Sequence, residues 1–230
     1  MNVNDMYRIC QFAVNKAQNG YLTPSDFNLI INQAQVSYQD YLLGEFQQYQ
    51  YGRPQARINY SQNQNIRQRL SPLIAESTLT INSTTGKASY PADYVQADAM
   101  ITSAFKRVRY IQQDSLYSYY NSEIDPVATN PVYLIEADGF QFYPKTLGNA
   151  VLTYVKNAPE IVWAYITVSG RPVYTTTTGA GVTPSTGSVQ PVWDNVDNLE
   201  IIARALKLIG LNLQVGQLEQ YANQVTQQGQ

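Results

Sequence analysis

The chain has 230 residues and a formal net charge of −2, with hydrophobic residues at 44% and charged residues at 14%. That length suits one sizeable domain, or one domain with arms, and the near-neutral balance argues against a nucleic-acid binder driven by counterion release. With no histidine and a single cysteine, Cys10, the commonest metal ligand and general base are missing, and neither an intrachain disulfide nor a multi-cysteine zinc site can form.

Polarity comes from Gln, Asn, Ser and Thr, and Tyr is abundant, at 19 against 6 Phe and 2 Trp. Tyr and amides give neutral, hydrogen-bonding, amphipathic surface suited to protein–protein contact, although compositional drift produces the same bias. The start, MNVNDMYRIC, lacks a basic segment followed by an apolar one, so no secretory signal is expected. No apolar run approaches the ~18 residues of a membrane span. A soluble protein assembled in a cytoplasm is expected.

The first predicted helix covers about residues 5–18, with Met6, Ile9, Cys10, Ala13 and Ala17 on its apolar face. Asn19-Gly20 supplies the stop. Cys10 on that face reads as a buried, inert thiol. The second helix has the clearest local signal. Thr23 can cap it, Pro24 suits its first turn, and Asp26 can return a bond to the cap. Leu22 and Phe27 are placed as a hydrophobic staple, and Phe27, Ile31, Ala34, Tyr38 and Leu42 continue an apolar face towards Tyr49. The pattern runs for about seven turns and predicts an antiparallel hairpin with the first helix. Residues 52–76 are amide-rich, with a short helix over about 61–70. They carry Arg53, Arg57, Arg67 and Arg69, candidate contacts for DNA or an acidic partner. So diffuse a cluster also fits a solvated arm.

A β module follows, expected over residues 77–190. A strand starts near Ser77, and NSTTGK makes a turn. Val95, Ala97, Ala99 and Ile101 alternate as a half-buried strand, and Lys106 to Ile111 reads as another. Asp114 starts a short helix over 115–120. Val132–Glu136, Phe140 to Tyr143 and Ala150–Lys156 are strands, with Asp138-Gly139 as a two-residue hairpin turn needing positive φ. A further strand runs from Ile161 to Val168. Residues 169–190 are rich in Thr, Gly, Ser and Pro and predict a mobile loop or an extended hairpin. Gly179-Ala180-Gly181 lacks the helix and Lys of a phosphate loop. Residues 191–230 return to helix. Asp194 or Asp197 caps a stripe of Leu199, Ile202, Ala203, Leu206 and Ile209. Gly210 or Gly216 breaks it, and Leu218, Tyr221, Ala222 and Val225 form a second amphipathic stretch before a polar tail. The expected class is α+β, an N-terminal helical arm (1–76) and C-terminal helices (191–230) flanking a mostly antiparallel β module.

Little in this inventory points to catalysis. Triads of the usual kind need His. Asp93, Asp98, Glu123, Asp125, Glu136 and Asp138 lie in or near the β module, but their spacing fixes no acid–base pair. Asp194-Asn195-Val196-Asp197-Asn198 is the nearest approach to a calcium loop, and capping explains it better. No cofactor or metal is expected. A carbohydrate-binding module is the sharper competitor, with Tyr117, Tyr119 and Tyr120 clustered. Long capped helices at both ends are poor accessories for one.

The order of motifs resembles a known family. A helical hairpin leads to Tyr90-Pro91-Ala92-Asp93-Tyr94, then Pro131-Val132-Tyr133, Gly139-Phe140-Gln141-Phe142-Tyr143-Pro144 and Leu152-Thr153-Tyr154. A helix after Trp193-Asp194 carries Ala203, Ala205 and Gly210. This layout resembles the head-to-tail connector (adaptor or tail-tubular ring) proteins of short-tailed phages. The stretch from Asn15 to Asn28 is similar to ring proteins of crAss-like gut phages. The Thr/Gly-rich loop departs from the simpler adaptors and leaves open which ring of the connector is meant. The resemblance implies a non-enzymatic virion protein of the neck or tail, forming a ring, commonly of twelve subunits, beneath the portal. Its implied partners are further copies of itself, the portal protein and neighbouring tail or ring proteins. DNA would pass without sequence-specific binding, and no membrane is involved. On this reading, segments around Thr175, Thr176, Thr177 and Thr178, and around Tyr221, Gln227 and Gln228, would order on docking.

Overall fold

A computed structural model describes residues 1–16, 21–47, 58–119 and 125–212. The chain is α+β and divides into two compact units, Leu73–Asn157 and the paired segments Met1–Pro72 and Ala158–Gln230. Residues 158–190, expected within the β module, therefore group with the helices.

In the helical unit, α1 spans Val3–Lys16, α2 Pro24–Gln47, α3 Ile58–Leu70 and α5 Asn195–Asn212. The start of α2 forms as its sequence predicts. Asp26 N donates to Thr23 Oγ1 at 3.2 Å, Thr23 Oγ1 donates back to the Asp26 carboxylate, and Phe27 N closes the first turn on Thr23 O at 3.0 Å. Leu22 and Phe27 are both buried, as a staple requires. Phe27, Ile31, Ala34, Tyr38 and Leu42 are all buried. The α1 face is turned slightly from expectation. Val3, Met6, Tyr7, Cys10 and Val14 are buried, whereas Ile9 is exposed. Tyr7 takes the place beside Cys10 because its ring packs on Phe27 at 5.1 Å and Trp163 at 4.2 Å. In α5, Ile202, Ala203, Leu206 and Ile209 are buried as expected, Ile201 and Ala205 widen the buried face, and Leu199 is exposed. Gly210 does not end α5, which continues to Asn212. The second C-terminal stretch lies outside the described residues.

The same unit holds a three-stranded antiparallel sheet in the order β10–β8–β9, formed by β8 (Tyr165–Val168), β9 (Arg171–Tyr174) and β10 (Val182–Thr183). Val168 pairs with Arg171, and the two residues between them, Ser169 and Gly170, have φ of 50° and 79°. This is where the positive-φ hairpin turn occurs. The Thr/Gly-rich segment thus takes the second of its two expected forms.

The β unit contains two sheets. One has the order β1–β7–β3, with β1 Ile74–Leu79, β7 Ala150–Lys156 and β3 Tyr94–Thr102, all antiparallel. The other has the order β2–β6–β5–β4, with β2 Lys87–Ser89, β6 Gly139–Tyr143, β5 Val132–Glu136 and β4 Arg109–Tyr110; only the β4–β5 pair is parallel. Residues of both sheets, among them Leu79, Met100, Phe140, Phe142 and Leu152, meet in one buried cluster. A short helix, α4 (Gln113–Tyr119), packs Leu116 against Val132 and Leu134.

Two expectations in this unit are corrected. Met100 and Thr102 are the buried residues of β3; of the four residues expected to face inward, Ala97 packs against the core cluster, whereas Val95, Ala99 and Ile101 are not buried. Irregularities at Tyr94/Gln96 and Ala97/Ala99 shift its pairing with β7, and each shift exchanges the faces. The β5–β6 turn is formed by Ala137 and Asp138, because Glu136 pairs with Gly139. Gly139 is needed for a different reason. A Cβ there would lie 2.1 Å from Ala88 O on the neighbouring strand, and its φ is +152°. No helix among the described residues is long and apolar enough to cross a membrane.

Candidate functional site

Helix α2 positions three sets of side chains at helical spacing. The core face is described above. Beside it, Asn28, Asn32, Gln35 and Gln39 recur at i, i+4, i+7 and i+11. Residues 158–163 run along them in extended form, and the amides bond the backbone of that strap. Asn28 Nδ2 donates to Trp163 O at 3.2 Å, and Trp163 N donates to Asn28 Oδ1 at 2.8 Å. Asn32 does the same with Ile161, at 2.9 and 2.8 Å. Gln35 Nε2 donates to Pro159 O at 2.9 Å, and Ala158 N donates to Gln39 Oε1 at 3.3 Å. A side-chain amide has both a donor and an acceptor, so it can stand in for a neighbouring strand. This explains why residues 161–164 are not in a sheet as expected. The backbone bonds of Ile161 and Trp163 go to α2, Val162 bridges to Val189, and Ala164 bonds Ser188 and Thr175.

The strap carries on into the β8–β9–β10 sheet, and further polar contacts hold it. Thr175 N donates to Ala164 O at 3.0 Å, Ala164 N donates to Ser188 Oγ at 2.8 Å, and Ser188 Oγ donates to Thr175 O at 2.7 Å. Thr175 is therefore a fastened residue, while Thr176, Thr177 and Thr178 are exposed beyond it. Tyr221, Gln227 and Gln228 lie outside the described residues.

The arginines separate. Arg53 and Arg57 lie outside the described residues. Arg67 is exposed at the end of α3. Arg69, two positions on and so about 200° round the helix, points elsewhere. Its Nε lies 3.9 Å from Asp197 Oδ1, and its Nη1 lies 3.4 Å from Tyr38 Oη. Tyr38 Oη donates to Asp197 Oδ1 at 2.6 Å. Burial raises the Asp197 pKa, against the opposing pull of the Tyr38 hydrogen bond and the Arg69 charge. Burial, and then the bond to Asp197, pushes the Tyr38 phenol up. Arg69 thus ties α3 to α2 and α5 inside the helical unit. Sequence reasoning finds neither this network nor the amide ladder. The ladder's spacing is visible as the polar flank of the Tyr38 face, but the segment it binds is not.

The other candidate chemistry is dispersed. Cys10 is buried, which pushes its thiol up to about 12. Asp93 accepts a bond from Tyr154 Oη at 2.8 Å, and Glu136 pairs with Lys87 at 2.5 Å. Among the described residues, no three His, Cys, Asp or Glu side chains gather as a metal site. Tyr117 is exposed, Tyr119 packs against the Ile111–Leu116 cluster, and Tyr120 lies outside the described residues. The remaining tyrosines of this unit are largely structural. Tyr90 stacks on Tyr94 at 4.8 Å, and both meet Phe140 edge-on. The chain matches no protein-family model and no curated protein.

Proposed function

We propose that this chain is a structural virion protein, one subunit of an oligomeric ring that joins a phage portal to the tail and extends the DNA channel. The observation that carries this reading is the layout. A β unit, Leu73–Asn157, is inserted into a helical unit built from both flanking segments. Ring contacts are heterologous and need two different surfaces per subunit, which two units of different character supply. The motif resemblance in the β strands and the capped helix supports the same reading. The net charge of −2 suits a channel that passes DNA without holding it.

A glycan-binding module is the competing reading; of its candidate rings Tyr117 is exposed, Tyr119 packs against the Ile111–Leu116 cluster and Tyr120 lies outside the described residues. Tyr90, Tyr94, Tyr133 and Tyr154 pack into or against the core cluster. Electron microscopy and mass measurement of the purified protein, alone and with its portal, test the proposal. A monomer that ignores the portal and scores on a glycan array would replace it.

A further inference from the structure

The turn between β3 and β4 presents an aromatic side chain that the fold of its own unit does not use. Phe105 is 84% exposed and has φ of 57°, a left-handed conformation in which glycine would sit without strain. The turn is nonetheless well bonded. Thr102 N donates to Lys106 O at 2.8 Å, Phe105 N to Thr102 O at 2.9 Å, and Lys106 N to the buried Thr102 Oγ1 at 3.1 Å. A strained, exposed Phe on a firmly held tip is an outlier that points to function. Its surroundings are cationic. Lys106, Arg107 and Arg109 are exposed, no acid lies between residues 103 and 110, and Tyr110 is 52% exposed. Arg109 donates to Asn130 Oδ1 at 2.6 Å, while Lys106 and Arg107 flank the tip.

The complementary surface is on α2. Its third stripe is Asp26, Leu29, Gln33, Val36 and Asp40, at i, i+3, i+7, i+10 and i+14, and every member is exposed. Leu29 is 74% exposed and Val36 45%. Leu29 and Val36 are seven residues apart, about 10.5 Å along the axis, with Gln33 between them and one acid beyond each end. The other two faces of α2 are occupied by the core and by the strap. This stripe is apolar at its centre and acidic at its ends, whereas the tip is apolar at its centre and basic at its flanks.

We propose that the Phe105 tip of one copy docks on the outer stripe of α2 in a neighbouring copy. Phe105 sits between Leu29 and Val36, and Lys106 and Arg107 face Asp26 and Asp40. The two surfaces differ, so the contact is heterologous and propagates from copy to copy, closing into a ring or extending as a filament. Burying the Phe removes its apolar surface from water, and the charge pairs set the register. This contact rests on the ring reading above.

The test is mass photometry of the full chain across a concentration series, with far-UV circular dichroism to check folding of the β unit that carries Phe105 and tryptophan fluorescence to check the helical unit. Phe105→Gly relieves the backbone and should fold at least as well as wild type, yet raise the assembly midpoint concentration at least tenfold. Asp40→Lys should do the same, and adding Arg107→Asp to it should restore assembly. If wild type forms rings and Phe105→Gly and Asp40→Lys form them equally well, the docking contact is wrong and the ring reading stands. If wild type stays monomeric at every concentration and with the portal, both fall. If Phe105→Gly leaves ring mass unchanged but abolishes DNA or portal binding, the tip serves another partner and the proposal is overturned.

Discussion

Replacing Asn32 with Ala should loosen the strap from α2 by an amount the structure allows to be worked out. Asn32 makes two hydrogen bonds to Ile161, at 2.9 and 2.8 Å, and Ile161 is fully buried. The substitution leaves a backbone N–H and a C=O without partners. Each such group costs ~1–3 kcal/mol, and because Asn32 itself is half-buried, water relieves part of this, giving ~2–4 kcal/mol in total. With a urea m-value near 2 kcal/mol/M, the unfolding midpoint should fall by about 1–2 M at unchanged slope. The two tryptophans, Trp163 and Trp193, both belong to the helical unit. Their fluorescence therefore reports that unit's unfolding without interference from the other. Asn32→Asp keeps the acceptor for Ile161 N but loses the donor to Ile161 O, so it should also be destabilised. A midpoint within ~0.2 M of wild type for Asn32→Ala would show that the ladder does not hold the strap.

Other expectations are shorter to state. Thr23→Ala removes the acceptor for Asp26 N and should cost about 1 kcal/mol in the same fluorescence assay; no loss would remove the cap from the account. Gly139→Ala forces a Cβ to 2.1 Å from Ala88 O. It should cost more than ~3 kcal/mol, followed by far-UV circular dichroism of the β unit, and a well-folded Ala variant would contradict the close approach. Asp197 has a folded pKa raised above its ordinary 3.8. Between those two values the folded chain holds more protons than the unfolded one, so this group's contribution to stability rises as pH falls through the raised value and levels off below 3.8. Wild type should therefore gain stability relative to Asp197→Asn across that window, and parallel pH profiles would refute the assignment.

What can be read from the sequence is local. Thr23, Pro24, Asp26 and the Leu22/Phe27 staple act within six residues of one another, and Phe27 to Leu42 share one face of one helix. Strands β5, β6 and β7 are legible for the same reason. What cannot be read depends on distant segments. The β3 phase turns on bulges against β7, some fifty residues away. The need for Gly139 comes from β2. The role of Asn28, Asn32, Gln35 and Gln39 depends on a strap more than a hundred residues on. Arg67 and Arg69 look alike as charges, and only the packing of α3 beside Tyr38 and Asp197 separates them. The Phe105 tip is hidden in the sequence because the expected strand begins only at Lys106 and nothing local marks the Phe before it, whereas its left-handed φ and exposure are properties of the folded turn.

The central claim is that this chain builds a ring at a portal. The measurement that bears on it most directly is the mass of the purified full chain, with electron microscopy of the same sample, alone and after mixing with the portal. The account predicts closed rings of a single subunit number that join the portal coaxially. A stable monomer at all concentrations, with no association with the portal, would contradict it.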